Sequence, residues 1–182
     1  HSSTKDFRFV FSANGAGKTT GLAHEIMWAL QGYNPVLDIY TPVPAKVIIV
    51  VDSSKKIDEV LLPELRKWYL LRDDQLKREG KPYTSRIIID NASSAAFYSA
   101  EADPMTFEGV QSTHVFIDEP LARNLYVALR RSLRIKGMVG KMLFCGTAIS
   151  EAWLRRDIYE PWAKGDLPEV ACFKVGINAN VD

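Results

Sequence analysis

Phe7-Arg8-Phe9-Val10-Phe11-Ser12-Ala13-Asn14-Gly15-Ala16-Gly17-Lys18-Thr19-Thr20 joins an apolar run to a helical one through a glycine-rich turn, and the reading of this junction sets the fold. The run Phe7 to Phe11 is too short and too apolar for a surface helix and reads as a strand. Beyond the turn, Leu22, Ile26, Ala29, Leu30 and Tyr33 recur at spacings near three and four, which predicts a helix from about Lys18 to Gln31 with Gly32 as its stop. The same alternation repeats down the chain. Lys46 to Asp52 (KVIIVVD) is apolar on both faces and is expected at the centre of a sheet. Ser53 or Ser54 then caps a helix with Ile57, Leu61, Leu65 and Trp68 on one face, and Pro63 opens a fresh turn after Leu62. Two short strands, Arg86 to Asp90 and Ala95 to Ser99, flank a polar turn. The strand Val115 to Asp118, a helix Arg123 to Ile135, the strand Lys141 to Cys145, a helix Ala152 to Lys164 and the strand Val170 to Val175 complete the pattern. Strands alternating with helices predict an α/β three-layer sandwich around a mainly parallel sheet.

Composition agrees with one such unit. The 182 residues are 47% hydrophobic, enough for a single core. Lys and Arg number 23 against 22 Asp and Glu, so no strongly basic footprint announces a nucleic-acid partner, although a local patch can supply one. The longest aliphatic run, Val47 to Val51, falls far short of the roughly 20 residues of a membrane helix. His1 to Asp6 carries no apolar stretch ahead of a cleavage site. Cys145 and Cys172 form no CxxC pair and no Cys/His cluster, which fits a reducing compartment without structural zinc.

The opening turn has the chemistry of a phosphate loop. Glycines at 15 and 17 let backbone N–H groups of the segment Ser12, Ala13, Asn14, Gly15, Ala16, Gly17, Lys18, Thr19 and Thr20 curl around phosphate oxygens. The helix start adds its own unsatisfied donors. Lys18 is placed to bridge β and γ phosphates, and the Thr19 hydroxyl to ligate Mg²⁺. The segment departs from GxxxxGK[ST] in having Ser12 at its first glycine. Further along, Asp118 and Glu119 stand at the carboxyl end of an apolar strand, where open α/β sheets gather their ligands. Asp118 suits Mg²⁺, and Glu119 suits the water that attacks the γ phosphate, which favours hydrolysis over transfer. Thr147, in Cys145-Gly146-Thr147-Ala148 after the next strand, offers a hydroxyl to sense the γ phosphate or, equally, a cap for the following helix.

These pieces together resemble the ATPase domain of the large terminase subunit of tailed bacteriophages. The resemblance rests on SANGAGKTT, on Asp103-Pro104-Met105-Thr106-Phe107-Glu108-Gly109 ahead of VFIDEP, on the arginine-rich helix leading to Gly137, and on GTA after the later strand. It spans about residues 7 to 150. It implies a P-loop NTPase of the additional-strand, catalytic-glutamate type, with Lys18 and Thr19 on phosphate and metal, Asp118 on the metal, Glu119 on the water and Thr147 in coupling. It also implies ATP and Mg²⁺, double-stranded DNA, a small terminase subunit, and a homo-oligomeric ring, usually a pentamer, on a portal protein in the host cytoplasm, with no membrane. The family's nuclease domain is not expected within residues 1–182, which read as one motor domain. The chain differs from the family in three places: there is no Arg in the phosphate loop, Ala148 stands where a Pro commonly follows the coupling Thr, and no Gln occurs among residues 1 to 6.

An ABC-type ATPase shares the loop and the Asp-Glu pair, but it needs an LSGGQ-like segment, and residues 102–110 read ADPMTFEGV. Its switch histidine is missing after Cys145 as well. A helicase-like P-loop ATPase is the other alternative. On the helix from Arg123, Leu125, Tyr126, Leu129 and Leu133 take one side while Arg123, Arg130 and Arg134 take the other, with Arg131 beside them and Lys136 and Lys141 extending the charge. Arg123, Arg130 or Arg131 is a candidate finger toward a neighbouring subunit, the face is a candidate grip on DNA, and a plain solvated face is the simplest reading. His24 and His114 lack a partner at metal spacing, and Trp28, Trp68, Trp153 and Trp162 read as core or interface aromatics.

Overall fold

The computed structural model describes residues 4–12, 15, 17–135, 137–147 and 151–175. Eight strands form one sheet: β1 Phe7–Ser12, β2 Lys46–Val51, β3 Leu76–Lys77, β4 Arg86–Ile88, β5 Ser94–Ser99, β6 His114–Asp118, β7 Lys141–Gly146 and β8 Val170–Val175. Their order is β8-β1-β7-β6-β2-β5-β4-β3. The first six of that row run parallel, and β4 and β3 add an antiparallel edge. A strand, β7, therefore separates the strand before the glycine turn from the strand ending in Asp118.

Period-two alternation sends each strand's side chains to two separate cores. Val47, Ile49 and Val51 of β2 join Val10, Phe116 and Leu143 beneath the helix α1, Lys18–Gln31. The same core holds α2, which comprises Ser54–Lys56, a wider turn Ile57–Leu61, and Leu62–Trp68. Ile48 and Val50 point the other way, with Phe9, Phe11, Ile117 and Phe144, against α3, Arg123–Ser132. That second layer is closed by α4, made of Ala152–Leu154, the turn Arg155–Tyr159 and Glu160–Lys164. Both composite helices owe their wide turn to a proline. Leu62 N–H reaches back five residues to Ile57 O ahead of Pro63, and Glu160 N–H does the same to Arg155 O ahead of Pro161. The π-helical turn gives each pyrrolidine ring room that a regular turn denies it.

Three local expectations are corrected. Helix α3 stops at Ser132 rather than Ile135, because Arg134 and Ile135 leave it to pair antiparallel with Val139 and Met138. The strand from Arg86 ends at Ile88. Lys141 does not extend the basic helix face; it lies at the amino end of the sheet beside Arg8, Glu25 and His114. Among the described residues no helix is long and apolar enough to cross a membrane.

Candidate active site

The register of the parallel strands sets the site. Asp118 of β6 lies beside Cys145 of β7 on one side and Val51 of β2 on the other, and Phe11 of β1 lies beside Gly146. The chain therefore leaves β1, β7, β6 and β2 along one edge, at their carboxyl ends. By alternation Asp118 shares the face of Phe116, under α1, so its carboxylate looks toward the helix that begins at Lys18. Gly17 caps that helix in a left-handed conformation, φ 75°, which a side chain would resist. Gly15 has φ 81°. Ala13, Asn14 and Ala16 lie outside the described residues.

Gly15, Gly17, Lys18, Thr19, Thr20, Lys56, Val60, Asp118 and Glu119 line one cleft of about 360 Å³. Lys18 Nζ donates to Ser12 O at 3.4 Å. The Thr20 hydroxyl donates to Glu64 Oε1 at 2.7 Å, and Trp68 Nε1 donates to the same oxygen at 2.8 Å. Those two donors, Thr20 the stronger, hold the Glu64 carboxyl below its usual range. Thr20 thus ties α1 to α2. Burial, then the neighbouring Glu119 carboxylate, pushes Asp118 up to about 6, with Lys56 and Lys18 pulling the other way.

Glu119 sits at φ 105°, well beyond the ordinary left-handed well and unusual for a residue with a side chain. Its N–H is held by Cys145 O at 2.7 Å. Its Oε2 accepts from the Thr147 hydroxyl at 3.3 Å. The Thr147 hydroxyl therefore meets Glu119, whereas the next described helix begins only at Ala152, with Glu151 at its cap.

The donor set fits a metal that arrives with a nucleotide. Thr19 and Asp118 line the same cleft, and two adjacent carboxylates at a half-buried strand end carry a repulsion that a divalent cation relieves. Among the described residues no group of three or more His, Cys, Asp and Glu could hold a metal ion by itself. The remaining ligands would be phosphate and water, as Mg²⁺ prefers. The Ser12 hydroxyl, buried at the foot of the loop, has no hydrogen-bond partner among the described residues.

The arginines separate. Arg123 Nε pairs with Asp157 Oδ2 at 2.5 Å, joining α3 to α4. Arg130 pairs with Glu169 at 3.2 Å and stacks on the Phe7 ring at 4.9 Å. Arg131 is exposed and pairs with no carboxylate among the described residues. It lies between a cleft lined by Phe107, Glu108 and Gly109 and another lined by Tyr126 and Trp153. His24 hydrogen-bonds Tyr69 at 2.8 Å, and His114 is buried against Thr113. Both are packing residues. Sequence reasoning missed Lys56, Asp52 and Glu64. The i,i+4 spacing of Asp52 and Lys56 immediately after a central strand was the available signal for the first two.

The topology and this loop define a P-loop nucleotide-binding fold in which an additional strand stands between the loop strand and the acidic strand. Within that class, the family model for the terminase large subunit, T4likevirus-type, N-terminal, matches residues 10–145, and the chain belongs to that family. Three solved structures share the fold. The large terminase of the thermophilic bacteriophage D6E in complex with ADP superposes with a TM-score of 0.68 at 14% identity, over 97% of this chain and 42% of its own. The large terminase ATPase domain of Thermus phage P74-26 gives 0.62 at 15% identity, over 96% of this chain and 77% of its own. The large terminase of bacteriophage HK97 gives 0.61 at 17% identity, over 93% and 35% respectively. This chain thus spans less than half the length of the D6E and HK97 proteins. No curated protein matches it in sequence.

Proposed function

We propose that residues 1–182 form the ATP-hydrolysing motor domain of a large terminase, which couples Mg²⁺-dependent hydrolysis to movement of double-stranded viral DNA into a procapsid. The observation that carries this reading is the single cleft in which Gly15, Gly17, Lys18 and Thr19 face Asp118 and Glu119. It is supported by family membership and by the D6E large terminase, which is solved with ADP and with ATP-γ-S. In this reading the loop amides and Lys18 bind the phosphates, with Ser12 at the loop's base. Thr19 and Asp118 hold Mg²⁺, which supplies charge neutralisation at the phosphoryl oxygens. Glu119 accepts a proton from the attacking water, and the Thr147 hydroxyl steadies its carboxylate and links the site to β7. The partners in this reading are DNA, a small terminase subunit, and further copies of the chain in a ring of five, by family pattern, on a portal in the host cytoplasm.

Calorimetry and phosphate release test this together. Lys18→Ala is expected to lose nucleotide affinity. Glu119→Gln is expected to keep ATP binding while turning over at least ~10²-fold more slowly, the scale of general-base loss. Turnover at the wild-type rate in Glu119→Gln removes the base assignment. Absence of any Mg–nucleotide binding by folded wild-type protein removes the whole reading.

A further inference from the structure

Lys56 has no role in the chemistry above, yet it lines the same cleft as Lys18, Thr19, Asp118 and Glu119. It stands in the first turn of α2, directly after β2, and β2 is the strand whose Val51 lies beside Asp118. Its Nζ is 3.0 Å from Asp52 Oδ2, with both side chains about half exposed. An ion pair this open contributes little to stability, so holding the fold together is a weak reason for its position. The charges of the cleft supply a better one. Asp118 and Glu119 bring two carboxylates, with Asp52 behind them as the partner of Lys56, and a nucleotide brings a further negative tail. Against these stand only Lys18 and Lys56 among the described cleft residues. The loop segment from Ser12 to Thr20 contains no arginine. Lys18 comes to the cleft from α1 and Lys56 from α2, so the two cations reach it from different elements.

We propose that Lys56 is a second cationic contact to the terminal phosphate, supplied by the same subunit, and that Asp52 holds its ammonium at the cleft wall until nucleotide arrives. This rests on the reading of the cleft as an ATP site. A contact confined to the terminal phosphate distinguishes nucleotides that carry it from those that do not. Titration calorimetry of Lys56→Met with Mg–ATPγS and with Mg–ADP is the test, with thermal melts to verify folding. ATPγS affinity is expected to fall at least about tenfold, as loss of one hydrogen bond between charged groups implies, while ADP affinity stays within about twofold of wild type. Lys56→Arg is expected to regain most of the ATPγS preference. Equal weakening of both nucleotides, or an unchanged ratio, overturns the proposal and leaves the ATP site standing. Wild-type protein that binds neither nucleotide overturns both.

Discussion

At the residue scale, Glu119 combines a strained backbone with the proposed role of general base. A non-glycine residue held in a sparsely populated conformation costs about 1–3 kcal/mol, and the structure keeps Glu119 at φ 105° between the Cys145 carbonyl and Pro120. Glu119→Gly relieves that cost, and glycine's greater freedom in the unfolded chain offsets part of the gain. The expected net is about 1 kcal/mol, a rise of about 2–4 °C in the melting midpoint for a domain of this size, accompanied by loss of turnover. Glu119→Gln keeps the strained backbone and should melt with wild type. A Gly variant no more stable than the Gln variant in calorimetric melts would remove the strain. Lys18, Thr19, Asp118 and Glu119 were legible in the sequence because each needs a fixed neighbour: glycines before the first two, an apolar strand before the others. Lys56 was not, because an i,i+4 ion pair looks the same on any solvated helix. Only the pairing of Val51 with Asp118 turns that helix start into a cleft wall.

At the scale of elements, the amino ends of β1, β6 and β7 meet α1 around buried polar groups. Arg8 of β1 makes two hydrogen bonds of 2.7 Å to Glu25 of α1. Both side chains are more than nine-tenths buried. His114 of β6 stacks on Phe116 and contacts the Thr113 hydroxyl at 3.0 Å. Burial first, then Lys141 of β7 and Arg8 of β1, lowers its pKa from 6.5 to about 4. A group whose pKa is lower when folded binds fewer protons there than when unfolded, so stability is full above about 6.5 and declines as pH falls to about 4. The loss attributable to His114 is on the order of 3 kcal/mol at its largest. Denaturant midpoints from pH 7 to 4 should fall less steeply in His114→Gln than in wild type; equal slopes would assign the acid sensitivity elsewhere. The parallel core was readable because central strands are apolar on both faces. The antiparallel edge, Leu76–Lys77 beside Arg86–Ile88, was not, since strands of two and three residues carry no periodicity.

At the scale of the molecule, α3 begins just past Glu119 and runs back toward the start of β7. Arg130 and Arg131, seven and eight residues into it, stand roughly 10–12 Å along the axis from the helix start beside the subunit's own cleft. Arg130 is committed to Glu169 and Phe7, and Arg123 to Asp157, which leaves Arg131 as the candidate to reach a neighbour. In assembled rings Arg131→Ala is expected to lower turnover by about 10³-fold or more, the scale of such fingers. Mixing it with Glu119→Gln subunits should restore part of the activity, because each mutant supplies what the other lacks. No recovery at any mixing ratio would deny Arg131 that part. The strand order has a separate outcome during synthesis. Both neighbours of the loop strand come from residues 141–146 and 170–175. A nascent chain therefore displays the glycine segment early yet lacks both strand neighbours of β1 until nearly all of this unit has left the ribosome, so the proposed phosphate loop gains its flanking strands late.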